Sequence, residues 1–390
     1  MPRILLTGAT GLIGGAVLHQ ALEGGDDATW VCLVRCAGVE QGRQRIAARL
    51  SRFTDAFTAQ RLARKVEVVP GDFTRADIDR DPRLDDCTHV LHLAADTSWW
   101  GDERVYRTNH DGTLALARRA RALPGLQRFL HVGTAMICGA DADEFVAEDD
   151  YPAADARHMV AYTVSKAATE TSLAEHFPDL PVVVARPSIV VGHASLGAGP
   201  SSSILWVLRA ADALRMLPCA PESHVDVVPA DWVAETLIGL LTKPTLAHDL
   251  YHLSAGARGR TTWAEVIAAF EEAEPSDGRR AFRQFDLVAD RAVLRRRFAE
   301  VFGLDGSLKQ AMLRAVRAYY AFCALDVTFA NDRLLAEGFA PAPTLPAYLP
   351  VCLANGATIV EQFADDIEMF AVPPPAPEAH AAGDALAASA

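Results

Sequence analysis

The stretch Arg3–Gly15, RILLTGATGLIGG, limits the fold more than any other part of the 390-residue chain. A short apolar run leads into Gly8, Gly11 and Gly14, spaced G-x-x-G-x-x-G, and then into an apolar helical pattern. A strand, a glycine turn and a helix in that order make the phosphate-holding corner of a parallel α/β sheet. Gly8 permits the tight turn, Gly11 lets a pyrophosphate approach the backbone, and Gly14 lets helix and strand pack closely. The helix amino terminus adds N–H donors and a favourable dipole. Thr7, Gly8, Thr10, Gly11, Leu12, Ile13 and Gly14 are therefore the expected dinucleotide contacts of the loop.

The rest of the chain repeats the alternation. TWVCLV, VEVV, THVLHLA, RFLHVG, PVVVA and HVDVV read as further buried strands, and the stretches beginning at Gly11, Glu40, Asp102 and Met159 as helices. Near-continuous apolar strands separated by helices indicate an α/β fold, a doubly wound parallel sheet (Rossmann) with ligands at the strands' carboxyl ends. Beyond RPSIVVGH the pattern breaks into a Gly/Ser/Pro-rich stretch, and from Phe282 to Phe370 it is mainly helical. Asp231 is expected to cap a helix, and Thr262 with Glu265 to form a capping box.

Composition narrows the partners. Half the residues are hydrophobic and 22% are charged, which is ordinary globular usage. The net charge is −13 with cations scattered along the chain, so nucleic acid is not expected. Seven cysteines without a C-x-x-C pair suit a reducing, cytoplasmic setting and give no metal framework. The amino terminus lacks a signal-peptide pattern, and no apolar run nears the roughly 20 residues of a membrane span.

The second strand ends LVR where a carboxylate would hold a ribose 2′-hydroxyl. The Arg35 guanidinium cannot accept from that hydroxyl but can clamp a 2′-phosphate, with Arg43 and Arg45 on the next helix adding charge. The expected cofactor is NADPH/NADP+; the alternative for Arg35 is a solvated surface arginine. Asp72 and Phe73 of PGDF are expected beside the adenine, and Ala94 and Ala95 of HLAAD against a ribose. His92, inside an apolar strand, reads as a core histidine.

AYTVSKAATE carries Tyr162 and Lys166 four apart, which stacks them on one helix face. A phenol with pKa near ~10 is a poor proton donor at neutral pH, and a nearby ammonium stabilises its anion. Lys166 can also bond the nicotinamide ribose. Thr134, at the end of the fifth strand, offers a hydroxyl beside Tyr162. Asn109, in NHDGT, offers an amide that could hold a water in a proton path.

TGATGLIG, PGDF, HLAA, NHDGT, VGTAMICG, YTVSK and RPSIVVG occur in the order seen in the extended short-chain dehydrogenases/reductases, which the chain resembles over roughly residues 3–255. The resemblance implies that Thr134, Tyr162 and Lys166 form the catalytic triad, with Asn109 as a fourth member. It also adds Pro187, Ser188 and Ile189 to the cofactor contacts. Gly133 departs from the pattern where many relatives carry Ser, and Met136 and Cys138 where an aromatic often follows.

LVRCAGVEQGRQRIAARL is similar to the arginine and R-x-x-x-R-L helix of thioester reductases and fatty acyl-CoA reductases, the male sterility type. That branch implies NADPH-dependent reduction of an acyl thioester, on coenzyme A or an acyl carrier protein, to an aldehyde and with a second hydride to an alcohol. An NADP-dependent ketone or aldehyde reductase is the alternative. A nucleotide-sugar epimerase or dehydratase and a non-catalytic dinucleotide-binding regulator are further ones. In this reading residues 1–187 with 225–254 form the NADP-binding domain, and 188–224 with 255–372 a smaller, mainly helical substrate-binding cap. Residues 373–390 form a disordered tail. Leu205, Trp206 and Leu208 are expected at an acyl entrance, and Cys138 in the pocket wall. The helix Lys309–Leu325 would cover an acyl tunnel or receive an acidic carrier, and a homodimer is a further expectation.

Overall fold

The computed structural model describes residues 1–367 except 26, 76, 77, 79, 80, 100, 154, 202, 276–280 and 355. The expected tail 373–390, and the end of the helical stretch to Phe370, lie outside the described residues. Seven strands form the central sheet: β1 (Arg3–Thr7), β2 (Thr29–Val34), β3 (Glu67–Pro70), β4 (His89–His92), β5 (Arg128–Val132), β6 (Val182–Pro187) and β7 (Leu250–Leu253). Their order is β7-β6-β5-β4-β1-β2-β3 and every neighbouring pair is parallel. This is the doubly wound sheet expected from sequence. The order reverses between β1 and β4, the switch point at which sheets of this kind take their ligands.

Alternation along the strands feeds two cores, because successive side chains leave a strand on opposite faces. Ile4, Leu6, Trp30, Cys32, Leu91 and Leu130 point to one face. There they meet α1 (Leu12–Glu23), α2 (Val39–Leu50), α3 (Ala56–Ala63) and, further along the chain, Ala230–Thr242. Leu5, Val31, Leu33, Val90 and Phe129 point the other way. Beyond the short α4 (Asp102–Tyr106), α5 (Gly112–Arg121) and α6 (Ala161–His176) cover this second face.

Two expectations are corrected here. HVDVV does not join the sheet: His224–Val225 pairs with Thr261–Thr262 and Val227–Val228 with Ile189–Val190. The break is at Asp226, whose buried carboxylate accepts from the amides of Ala255 and Gly256 at 2.9 and 3.3 Å. LYHL, the run Leu250–Leu253, completes the sheet instead. Asp231 is not an N-cap either. Pro229 holds that position for α8 (Ala230–Thr242), and the Asp231 carboxylate accepts from the Ala194 amide at 2.9 Å.

The remaining helices are α7 (Leu205–Leu214), α9 (Gly256–Gly259), α10 (Trp263–Ala273), α11 (Arg291–Phe302), α12 (Ser307–Cys323), α13 (Asp332–Ala336), α14 (Leu345–Leu353) and α15 (Ile359–Asp366). Most of them build a separate hydrophobic core around Trp206, Trp263, Phe298, Tyr320, Leu349 and Phe363. The Thr262–Glu265 capping box is present, and Thr358–Glu361 makes a second one. Leu205, Trp206 and Leu208 do not line an entrance. All three are buried in this core, where the Trp206 indole meets Phe363 and donates to Asp366 at 3.0 Å. Trp99, in the loop after β4, packs on Tyr319 and Phe322 of α12 with ring centroids 4.0 and 5.4 Å apart. That contact joins the helical part to the sheet's switch point.

Candidate active site

The glycine loop has the shape its spacing demands. Gly8 sits at φ +79°, and a Cβ there would lie 2.8 Å from the Ala94 amide nitrogen. A Cβ at Gly14 would overlap the Gly8 carbonyl, so only glycine lets α1 start this close to β1. Gly11 is the N-cap of α1, with no side chain capping its first turn and no acidic residue in it. The uncapped amides and the absence of Cβ atoms make a cradle that fits a dinucleotide pyrophosphate. The helix stays in place through Arg49. Its side chain fits over Gly15 and donates to the carbonyls of Thr10 at 2.9 Å and Pro200 at 3.1 Å. Arg49 was legible only as the second arginine of the R-x-x-x-R-L helix.

Around the cradle the other expected contacts divide. Arg35 is exposed just beyond β2 and has no carboxylate partner among the described residues. Arg45 donates to the Arg35 carbonyl, whereas Arg43 pairs with Glu40 at 2.9 Å, so its charge is offset locally. The Asp72 carboxylate accepts from the Thr74 amide and hydroxyl at 3.0 and 2.8 Å, as a turn residue does. Phe73 is buried edge-on against His92. The Ala94 amide donates to the Thr7 hydroxyl at 3.1 Å, so Thr7 ties β1 to the HLAAD segment. His92 lies between Thr7 and Thr113, at 2.7 and 2.8 Å. Burial, with the Lys166 charge, pulls its pKa down to about 3. It is a core histidine, as its apolar strand implied.

The ends of β5, β6 and α6 bring Thr134, Tyr162, Lys166 and Pro187 together. Lys166 is buried and donates to the Val132 carbonyl at 2.7 Å, with its ammonium 5.9 Å from the Tyr162 ring centre. Burial pulls the ammonium down to about 8, and the Glu170 carboxylate opposes that pull. The Tyr162 phenol is pushed up by burial and then by Glu170, so its proton stays on in the absence of other charge. The Thr134 hydroxyl accepts from the Met136 amide at 3.2 Å and reaches the Pro187 carbonyl at 3.4 Å. That second contact is long, so the hydroxyl proton is free to turn towards a ligand.

Two neighbours were missed. Glu170, four residues beyond Lys166, is buried, and Arg186 of β6 holds its Oε2 at 2.8 Å. Its Oε1 fills the space that Gly133 leaves, so any side chain there would meet the carboxylate. Arg186 also donates to the Asp150 carbonyl at 3.1 Å and lies over the Tyr151 ring. A continued i, i+4 step from Lys166 was the available signal for Glu170.

Asn109 is corrected. It lies in a π-helical turn, Arg107–Asp111, between α4 and α5. Its Oδ1 accepts from the Asp96 amide at 2.7 Å, and its Nδ2 donates to the Asp96 carbonyl and the Ser165 hydroxyl, both at 2.9 Å. Both amide protons are used, so the side chain locks the Asp96 loop to α6 rather than holding a water. Ser188 is buried with its amide on the Leu253 carbonyl, and Ile189 is half-buried beside Asp226. Cys138 is half-buried against the cluster of Ala135, Val146, Val327 and Phe329, and burial pushes its thiol up to about 11, which disfavours the thiolate. No group of acidic, histidine and cysteine side chains suited to a metal occurs among the described residues, and none of their helices is long and apolar enough to cross a membrane.

Residues 6–237, more than half of the chain, match the family model described as male sterility protein, an NAD-binding family. The chain belongs to the male sterility protein family. Among curated relatives of this male sterility family member is the non-canonical nonribosomal peptide synthetase FrzA of Cladobotryum sp. It is 24% identical over 266 residues, 64% of this chain and 26% of that protein. Fatty acyl-CoA reductase 1 of Xenopus laevis is 23% identical over 308 residues, 67% of this chain and 59% of that protein. The chain spans about a quarter of the length of FrzA. Among solved structures, the terminal R domain from the myxalamid PKS-NRPS biosynthetic pathway superposes with a TM-score of 0.73 at 20% identity, covering 91% of this chain and 90% of that one. It shares the fold.

Proposed function

We propose that the protein is an NADPH-dependent reductase of acyl thioesters borne on coenzyme A or an acyl carrier protein. The observation that carries this reading is the pairing of Tyr162 and Lys166 on one helix, with the Lys166 ammonium bonded to the Val132 carbonyl two residues before Thr134. The names of the relatives support the substrate class, since one is a fatty acyl-CoA reductase and another a peptide synthetase. Thr7, Gly8, Thr10, Gly11, Leu12, Ile13 and Gly14 would hold the pyrophosphate, Arg35 and Arg45 the 2′-phosphate, and Ala94, Ala95, Pro187, Ser188 and Ile189 the nicotinamide half. A nicotinamide cofactor bound there supplies the hydride.

The chain's own residues supply position and a proton. The Thr134 hydroxyl, turned from Pro187, and the Tyr162 hydroxyl donate to the acyl oxygen as negative charge grows on it. Tyr162 then passes its proton to that oxygen. The buried Lys166 ammonium stabilises the phenolate left behind, and Asn109 keeps α6 in register through Ser165. The hemithioacetal so formed loses its hydroxyl proton and breaks its C–S bond, the departing sulfur takes up a proton, and a free thiol and an aldehyde result; a second hydride and proton reduce the aldehyde to an alcohol.

The test is to follow NADPH oxidation and thiol release together with acyl-CoA, acyl-carrier and ketone substrates. One thiol released per NADPH oxidised is the expected outcome where the reaction stops at the aldehyde, and one thiol per two NADPH where the second round carries it to the alcohol. Oxidation with ketones alone, without thiol, overturns thioester reduction in favour of a ketone reductase.

A further inference from the structure

Between Arg291 and Arg317 the sequence has seven cations and two carboxylates, in a chain whose net charge is −13. These cations look scattered along the sequence, but α11 and α12 pack against each other and set Arg291 near enough to Arg317 to repel its charge. Arg297 pairs with Glu300 and Lys309 with Asp305, each at 3.0 Å. Arg291, Arg295, Arg296, Arg314 and Arg317 have no carboxylate partner among the described residues. The first four are exposed and Arg317 is half-buried. Burial, and then the Arg291 charge across the two helices, pull the Arg317 pKa down. Like charges gathered without counter-ions create a demand for an anion from outside.

The chemistry of the patch selects the anion. Every unpaired cation is arginine, whose fork suits carboxylates and phosphates. The patch spans two helices, which is broader than a single phosphate group. The exposed neighbours on α11 are Ala292 and Glu300, and Val288 is the one large exposed apolar side chain just before it. A membrane-binding face would carry several bulky apolar anchors, so an acidic protein surface is the better fit.

Position supplies the second argument. The other side of α12 reaches the site, because Tyr319 and Phe322 rest on Trp99 in the loop between Ala95 and Asn109. Arg314 lies eight residues before Phe322, roughly 12 Å along the helix. A partner seated on the arginines therefore stands on a helix that packs against the loop between Ala95 and Asn109.

We propose that the arginine face of α11 and α12 docks the acidic surface of an acyl carrier protein bearing the thioester. The proposal rests on the thioester-reductase reading. Its test uses the full chain and the triple variant Arg291→Glu/Arg295→Glu/Arg314→Glu, with the matching Gln triple as a milder control. The same acyl group is presented on an acidic acyl carrier protein, on coenzyme A and on N-acetylcysteamine.

For the Glu triple, KM for the carrier-borne substrate should rise at least about tenfold at unchanged kcat, and less for the Gln triple. Kinetics with the other two substrates should not change, and the parent's carrier KM should rise with salt. An unchanged carrier KM overturns docking, and so does an equal rise with coenzyme A, which would mark a small phosphate site. If the parent reduces no thioester at all, the functional reading fails while docking is still read directly by fluorescence anisotropy of labelled holo-carrier protein. At least about tenfold weaker binding to the Glu triple then supports docking. No binding by the parent, or sedimentation with phosphatidylserine vesicles in its place, overturns it.

Discussion

Replacing Glu170 by Gln removes one negative charge from the helix face that carries Tyr162 and Lys166 and leaves the side chain's volume unchanged. Lys166 stands four residues away, so the two side chains are neighbours, with roughly 6 Å between their attachment points. At an effective dielectric of about 20, a full unit charge at about that spacing is worth about 2.8 kcal/mol, or about 2 pKa units, an upper figure because burial raises the Glu170 pKa and reduces its ionisation. Arg186, paired with Glu170, opposes part of this in the parent and is left uncompensated in the variant. His92 and His131 face Lys166 from β4 and β5, and burial holds both well below the usual imidazole range, so they stay neutral.

The carboxylate raises the ammonium pKa, so its loss lowers it. Lys166 starts at about 8 in the parent and should fall by at least ~1 unit in the variant. Activity that needs the ammonium is lost as pH rises through that pKa. The alkaline limb of kcat/KM should therefore move to lower pH in Glu170→Gln, while activity at pH well below it is retained. The assay is initial-rate NADPH oxidation across pH, with thermal melting to confirm a folded variant. An alkaline limb that stays in place, or moves upward, would refute the proposed coupling.

Gly133→Ala should destabilise the fold by about 1–3 kcal/mol, read as a lower Tm, because its Cβ overlaps the Glu170 carboxylate. Tyr162→Phe should keep NADPH affinity in a fluorescence titration and lose about 10²–10⁴-fold in kcat. Arg35→Ala should reduce the preference for NADPH over NADH by about tenfold or more, since a charge-assisted bond contributes about 1.5–3 kcal/mol; steady-state kinetics with both cofactors measure it. Thr262→Ala should cost about 1 kcal/mol in denaturant unfolding through loss of the α10 capping box.

Local patterns were legible and long-range ones were not. Six of the seven central strands stand where apolar runs placed them, because a strand buried on both faces must be apolar throughout. HVDVV misled for the same reason: four apolar or aromatic neighbours hid the single carboxylate that breaks it. Asp226 is intelligible only once Ala255 and Gly256 are known to lie beside it. Trp206 gave the same trouble, since a pattern of apolar residues at helical spacing does not say whether they face a ligand or a core. Tyr162 and Lys166 could be paired from sequence because both lie on one helix, whereas the Glu170–Arg186 pair joins a helix to a strand and needed the fold. Asn109 was found as a residue but not in its role, which depends on Asp96 and Ser165 taking up its amide.

The late position of β7 has a consequence for anyone trimming this chain to its family match. The family match stops at residue 237, inside α8, before Leu250–Leu253 has been made. A fragment ending there would leave the β6 edge bare from Val184 to Pro187, an apolar strand with unpaired amides. It would also lose His252, whose amide bonds Glu148 at 3.2 Å and whose ring lies 3.4 Å from Arg186. The boundary drawn by likeness is thus shorter than the unit that folds. Such a fragment is expected to aggregate by edge pairing, and a soluble unit must run at least through Arg333, whose amide completes the shell of Glu148 at 2.9 Å.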